Sequence, residues 1–303
     1  MVRIAHFSDT HVLSLKGVGP SRFLNKRWTG AVNLALNRSK HYRVEIFEQL
    51  LQAVKESRCD HAICTGDLVN LALEPEFERV AELLENTFGQ DQLTLVPGNH
   101  DYYVKEAVSD GLFERYFGRW LSDDLALGLA GHYPVSRIVD EVVVVGVNSA
   151  IPTGVFMARG RVGDQQLTDL DGALNHEACD ARFKLLMIHH PLLPEPNRRL
   201  DVTRRLEDAD EVITRLVSAG ESAPDLVVHG HNHEFKRMVV PGSQIPLIQV
   251  ASASRSGERH RAEFNIYNIE DGVLCSIERH IHQPESGEFV RCDESGTPIE
   301  PAS

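Results

Sequence analysis

Leu93-Thr94-Leu95-Val96-Pro97-Gly98-Asn99-His100-Asp101 is the stretch from which the rest of the chain can be read. An apolar run of strand length over 93–96 stops at a Pro-Gly turn signal, and the next three residues are types that ligate metals or move protons. Four other apolar runs end in the same way. The run over 3–8 leads into Asp9-Thr10-His11, and that over 61–65 into Gly66-Asp67. The runs over 183–188 and 226–229 lead into His189-His190-Pro191 and Gly230-His231-Asn232-His233.

One such patch means little. Together they supply imidazoles, a lone central carboxylate and an amide oxygen, the inventory for two metal ions sharing a bridging carboxylate, and two-metal sites cleave phosphate esters. Asp9 and His11 are separated by one residue, so in extended chain both would point to one side and reach one ion. His231 and His233 repeat that spacing. Gly66 lets backbone approach a ligand closely. The neutral Asn99 oxygen limits negative charge where an anionic substrate must sit. Nitrogen and oxygen ligation without sulfur suits Mn, Fe or Zn better than Mg or Ca.

Between the strand-like runs lie helical patterns over 43–57, 76–88, 105–117, 164–174 and 202–217. A further apolar run covers 142–148. After Pro241 the pattern predicts strands over 247–250, 264–269 and 273–279, with Asp271-Gly272 a strong hairpin signal. From Gln283 the chain is polar with Pro, Gly and Ser and reads as an irregular tail over 283–303. The fold class is therefore α/β: two sheets in a sandwich flanked by helices, with functional loops at strand carboxyl ends.

The 303 residues are 42% hydrophobic and 25% charged, as expected for one large globular domain plus decoration. No apolar run approaches the roughly 20 residues that span a bilayer, and the start, Met1 to Phe7, is too short and too soon polar for a secretory signal. Cys59, Cys64, Cys179, Cys275 and Cys292 are odd in number and scattered, which suits a reducing cytoplasm and argues against disulfides or a zinc-thiolate site. Cys64 reads as a small core residue. The net charge of −13 disfavours stable nucleic-acid binding. Charge is nonetheless uneven: from Thr10 to Val44 there is no acid, while Lys16, Arg22, Lys26, Arg27, Arg38, Lys40 and Arg43 are all basic.

The ordered series D-x-H, G-D, G-N-H-D, H-x-P and G-H-x-H, running from Asp9 to His233, resembles the calcineurin-like metallophosphoesterases. The resemblance implies that fold over 1–282. It further implies that Asp9, His11, Asp67 and His233 hold a first ion and Asp67, Asn99, His189 and His231 a second. The two divalent or trivalent ions (Mn, Fe or Zn) would share Asp67, and a hydroxide between them would attack phosphorus in line with the leaving oxygen. His100 would act near the leaving group and Asp101 would orient His100 or its loop. His190 and His229 lack a family position and read as supporting residues, His6 as structural, and Asn232 as shaping a turn.

Within that family, protein phosphatases carry Asp-Arg-Gly soon after the second motif, and Gly66-Asp67-Leu68-Val69-Asn70-Leu71-Ala72 has no Arg. Lipid A pathway pyrophosphatases have Arg where His100 stands. Nuclease members bring a basic extension that the acidic body lacks. Asn148-Ser149 and Gly163-Asp164-Gln165-Gln166-Leu167 are similar to bacterial small-molecule phosphodiesterases of the cyclic-nucleotide and glycerophosphodiester type. Phosphomonoesters, phospholipids and a catalytically silent binding or scaffold role are the alternatives. The departure from compact members is a basic amphipathic insertion over 12–42. Leu24, Trp28, Val32 and Leu36 recur every four residues beside Asn25, Thr29, Asn33 and Asn37, as in a helix with an apolar and a polar stripe. Starting beside the first ligands, it is a candidate cap over a small phosphoester, a homodimer surface around Trp28, or a weak contact for anionic lipid.

Overall fold

The computed structural model describes the chain except for residues 24, 29–41, 130, 258–259 and 300–303. Its strands are β1 (Val2–Phe7), β2 (His61–Cys64), β3 (Leu93–Leu95), β4 (Val135–Val139), β5 (Val142–Gly146), β6 (Phe183–Met187), β7 (Leu226–His229), β8 (Lys236–Val239), β9 (Pro246–Gln249), β10 (Glu263–Glu270), β11 (Val273–Gln283) and β12 (Glu288–Cys292). They form two six-stranded sheets, in the orders β12-β11-β10-β1-β2-β3 and β4-β5-β6-β7-β9-β8. In the first, β1, β2 and β3 are parallel and β10 joins antiparallel to β1. In the second, β5, β6, β7 and β9 are parallel, with antiparallel β4 and β8 at the edges.

Helices α1 (Val44–Glu56), α2 (Glu74–Glu85), α3 (Lys105–Ser109) and α4 (Leu112–Phe117) precede β4, and α5 (Asp164–Leu174), α6 (Arg198–Arg204) and α7 (Ala209–Ser218) follow β5. The period-two side-chain alternation of strands builds the layers. Val142 and Val144 of β5 join Ile4, Ile63, Met187, Val228 and Tyr267 in a core between the sheets. Val143 and Val145, pointing the other way, pack with Leu167 of α5 and Leu216 of α7. On the opposite outer face, Phe7 and Leu95 meet Phe47 of α1, Phe77 of α2 and Phe117 of α4. The order of layers is helix, sheet, sheet, helix, and strands buried on both faces read as the continuous apolar runs seen in the sequence.

Several boundaries differ from the sequence reading, for identifiable reasons. The single helix expected over 105–117 is two, because Gly111 takes a left-handed φ of 58° between α3 and α4. The helix expected over 202–217 breaks between α6 and α7, where Asp208 accepts hydrogen bonds from the Val162 and Gly163 amides. The irregular tail expected over 283–303 is corrected: β12 lies within it, antiparallel to β11. A two-residue turn, Asp271 and Gly272, both at positive φ, closes the β10–β11 hairpin as expected. Of the helical stripe expected over 24–37, only 25–28 lie among the described residues. Among the described residues no helix is long and apolar enough to cross a membrane.

Candidate metal centre

The loops after β1, β2, β3, β6 and β7 meet at one rim of the sandwich. Backbone bonds fix them to one another: the Asp9 amide donates to the Gly66 carbonyl, the His11 amide to that of Asp67, and the Gly230 amide to that of His189. The extended geometry expected for the paired ligands is not what brings them together. Asp9 (φ 57°), His11 (45°), Asp67 (54°), His231 (74°) and His233 (59°) are all left-handed, so each loop curls its donors inward. Such conformations cost about 1–3 kcal/mol each in non-glycine residues and persist where surrounding structure holds them. A side chain at Gly98 would run into the Asp67 carboxylate, and one at Gly230 into Ser8 and Asp9.

Two groups of donors result. In the first, His11 Nε2 and His233 Nε2 lie 3.0 Å apart, with Asp9 Oδ1 3.0 Å from His233 Nε2 and 3.7 Å from His11 Nε2. In the second, His189 Nε2 is 3.2 Å from Asn99 Oδ1 and 3.2 Å from His231 Nδ1. Asp67 stands between them, Oδ2 3.8 Å from His11 Nε2 and Oδ1 3.5 Å from His189 Nε2.

Proton placement shows that a cation fits each group. His189 Nδ1 lies 2.6 Å from the Thr65 carbonyl and must donate to it, leaving the Nε2 lone pair facing Asn99 and Asp67. The Tyr42 hydroxyl lies 3.0 Å from His233 Nδ1. With the Nδ1 proton given to Tyr42, the Nε2 lone pair of His233 faces Asp9 Oδ1, a buried oxygen that receives no hydrogen bond. Lone pairs facing lone pairs at about 3 Å are the separations that ligands take around one ion at about 2.0–2.2 Å from each. Held second nitrogens are also the usual way a protein orients ligating imidazoles.

Electrostatics favour the ligating protonation states. Burial first, and neighbouring imidazoles second, push His231 well below the usual histidine range, and burial lowers His189. Both imidazoles therefore present lone pairs at neutral pH.

His100 donates from Nδ1 to the Asn70 carbonyl at 2.6 Å, and its amide donates to Asp67 Oδ1 at 2.7 Å. Tyr103 stacks on its ring, centroids 5.4 Å apart. Asp101 is fully buried and accepts from the amides of Leu68, Val69 and Gly98, clamping the second loop to the third. It has no exposed surface to offer a substrate, so its contribution is loop geometry.

The supporting histidines also find partners. His190 Nδ1 pairs with Ser149 Oγ at 2.8 Å, and its ring lies 4.7 Å from that of His231. His6, pushed down to about 3 by burial, bridges Tyr267 and Thr65 between the sheets. His229 is fully buried and Asn232 donates to Gln249. Cys64 is a core residue whose thiol burial pushes well up.

Sequence reasoning passed over Tyr42, Arg204 and Arg255. All three line, with the donor residues, a cleft of about 390 Å³. Tyr42 carries no motif signal; its place follows from a bridge to Arg255. From the insertion, Arg27 is buried and donates to the Leu71 and Ala72 carbonyls. Lys26 Nζ donates to Thr153 Oγ1 and the Met157 carbonyl and sits 4.4 Å from the Tyr103 ring centroid. The start of the insertion is thus tied to the loops that carry Asp67 and His100.

A family model for the calcineurin-like phosphoesterases matches residues 2–235, and the chain belongs to that family. Among solved structures it is similar to the purple acid phosphatase PPD1 of yellow lupin (Lupinus luteus), at 11% identity and a TM-score of 0.59, covering 100% of this chain and 57% of that one. It is also similar to the sulfate thiohydrolase SoxB of Thermus thermophilus, at 12% identity and a TM-score of 0.51, covering 96% and 58%. The chain spans just over half the length of both, and at such identity the likeness is one of fold. Comparison with curated protein sequences gave no match.

Proposed function

We propose that the chain is a two-metal phosphodiesterase acting on small phosphodiesters of the cyclic-nucleotide or glycerophosphodiester type. The observation that carries this reading is the position of Asp67, whose two oxygens face two separate donor groups. Asp9, His11 and His233 with Asp67 Oδ2 would hold one ion, and Asn99, His189 and His231 with Asp67 Oδ1 the other. Mn, Fe or Zn suits these donors. When bound, such ions supply Lewis acidity, acidify water and neutralise charge on the phosphoryl group.

The chain's own residues supply the rest. Asn99 contributes an oxygen without a charge, which keeps the site receptive to an anion. Arg204 and Arg255 line the same cleft and add positive charge where a phosphodiester would enter. With Nδ1 committed to the Asn70 carbonyl, His100 has only Nε2 to offer a leaving oxygen as proton donor. The cleft's volume of about 390 Å³ supports a small substrate over a folded protein. Purified protein loaded with Mn²⁺ should hydrolyse bis(4-nitrophenyl) phosphate faster than 4-nitrophenyl phosphate, and a panel of cyclic nucleotides and glycerophosphodiesters would identify the ester. Hydrolysis of the monoester alone would mean a phosphomonoesterase. No turnover at full metal content would mean a binding module.

A further inference from the structure

A second cavity, of about 790 Å³, adjoins the metal cleft. The two share His11, Tyr42 and Arg255 as walls. Tyr42 and Arg255 form a short antiparallel bridge, reinforced by the Arg43 amide donating to the Ser254 carbonyl at 3.1 Å. A ligand with one phosphoryl group near His11 and His233 would pass over this bridge into the larger space.

The chemistry of that space is cationic. Among the described residues, Arg43, Arg255 and Arg261 line it against one carboxylate, Glu45. Nearby Arg237 and Arg279 are neutralised by Glu294 and Glu263. Among the described residues, Arg43, Arg255 and Arg261 have no such ion pair. Arg261 is instead held by a neutral partner, donating to Gln283 Oε1 at 2.7 Å. Guanidinium groups without a carboxylate partner among the described residues, set around a concave site, match a phosphate, which accepts paired N–H bonds in their fork geometry. The outer wall comes from Pro284 and Gly287, in the turn between β11 and β12.

We propose that this cavity is a second anion subsite, and that the preferred substrate is a phosphoester whose alcohol portion carries a further phosphate group. This rests on the metal-centre reading for the position of the first phosphate. It adds a substrate class, esters with two phosphate groups, that the metal centre alone does not select.

Binding rather than turnover provides the test. The Mn²⁺-loaded protein is titrated calorimetrically with α,ω-alkanediol bisphosphates of graded length and with the matching alkyl monophosphates. For at least one length the bisphosphate should bind about tenfold tighter or more, the scale of charge-assisted bonds to guanidinium. Arg261→Gln and Arg255→Gln should each shrink that ratio, and the double variant should bring it close to 1. A ratio near 1 at every length in the unaltered protein overturns the proposal, as does a ratio that both variants leave intact. Hydrolysis of bis(4-nitrophenyl) phosphate, measured on the same samples, reports on the catalytic reading independently. A retained ratio without hydrolysis supports the subsite and removes only the catalysis.

Discussion

The hydroxyl of Tyr42 lies 3.0 Å from His233 Nδ1, and the two rings meet edge to face with centroids 5.7 Å apart. Tyr42 also packs edge-on against His11, centroids 4.8 Å apart. One residue at the end of the insertion therefore braces two imidazoles of the first donor group. Removing the hydroxyl should loosen His233 without changing the donor set. Tyr42→Phe is expected to weaken one of two bound ions by about 10- to 100-fold, the usual cost of losing a partner behind a ligand. Competition with a chromogenic chelator would measure this; equal affinity in the two proteins would show that the hydroxyl has no such role.

His100 has its Nδ1 and its amide engaged, with the Asn70 carbonyl and the Asp67 carboxylate. His100→Asn should keep metal content and lower kcat on bis(4-nitrophenyl) phosphate by about 10²- to 10⁴-fold, as expected for loss of a proton-transfer group. The deficit should be smaller for a diester with a more acidic leaving alcohol, which needs less protonation. A uniform deficit across leaving groups would assign His100 to phosphate binding instead.

The C-terminal hairpin offers a pH test remote from the metals. Burial pushes Glu278 up, but His280, Asn268, Arg291 and Arg3 around it hold its carboxyl down from 4.5 to about 2. Arg291 of β12 approaches within 2.7 Å. A carboxyl lowered by folding stabilises the fold above its unfolded value, and that contribution fades as pH falls from 4.5 towards 2. Glu278→Gln should lower Tm at pH 7 by roughly 2–4 °C. The difference from the unaltered protein should narrow as pH falls below about 4.5. A difference that is constant with pH would show that the carboxylate charge is not what anchors β12.

The donor residues were legible because each stands directly after a buried strand, where an apolar run stops at polar types. The fold class followed from the same runs. What the sequence concealed has physical causes. β4, β8 and β12 are edge strands, and β8 alternates half-buried and exposed positions, so no apolar run marks it. The break at Gly111 depends on a left-handed turn inside an otherwise helical pattern. The left-handed backbone of the ligand pairs was invisible because their i, i+2 spacing reads equally well as strand. Tyr42, Arg204 and Arg255 belong to loops that reach the site only through tertiary packing.

Asp67 carries the central claim, since one carboxylate facing two donor groups is what makes a dinuclear centre. Metal content by elemental analysis, on unaltered protein and on Asp67→Ala after equilibration with excess Mn²⁺ and desalting, tests it most directly. The expected result is two ions per unaltered chain with phosphodiesterase activity, and fewer than two ions with activity lost in the variant. Unaltered protein that binds at most one ion, or an Asp67→Ala variant whose metal content is unchanged, would contradict it.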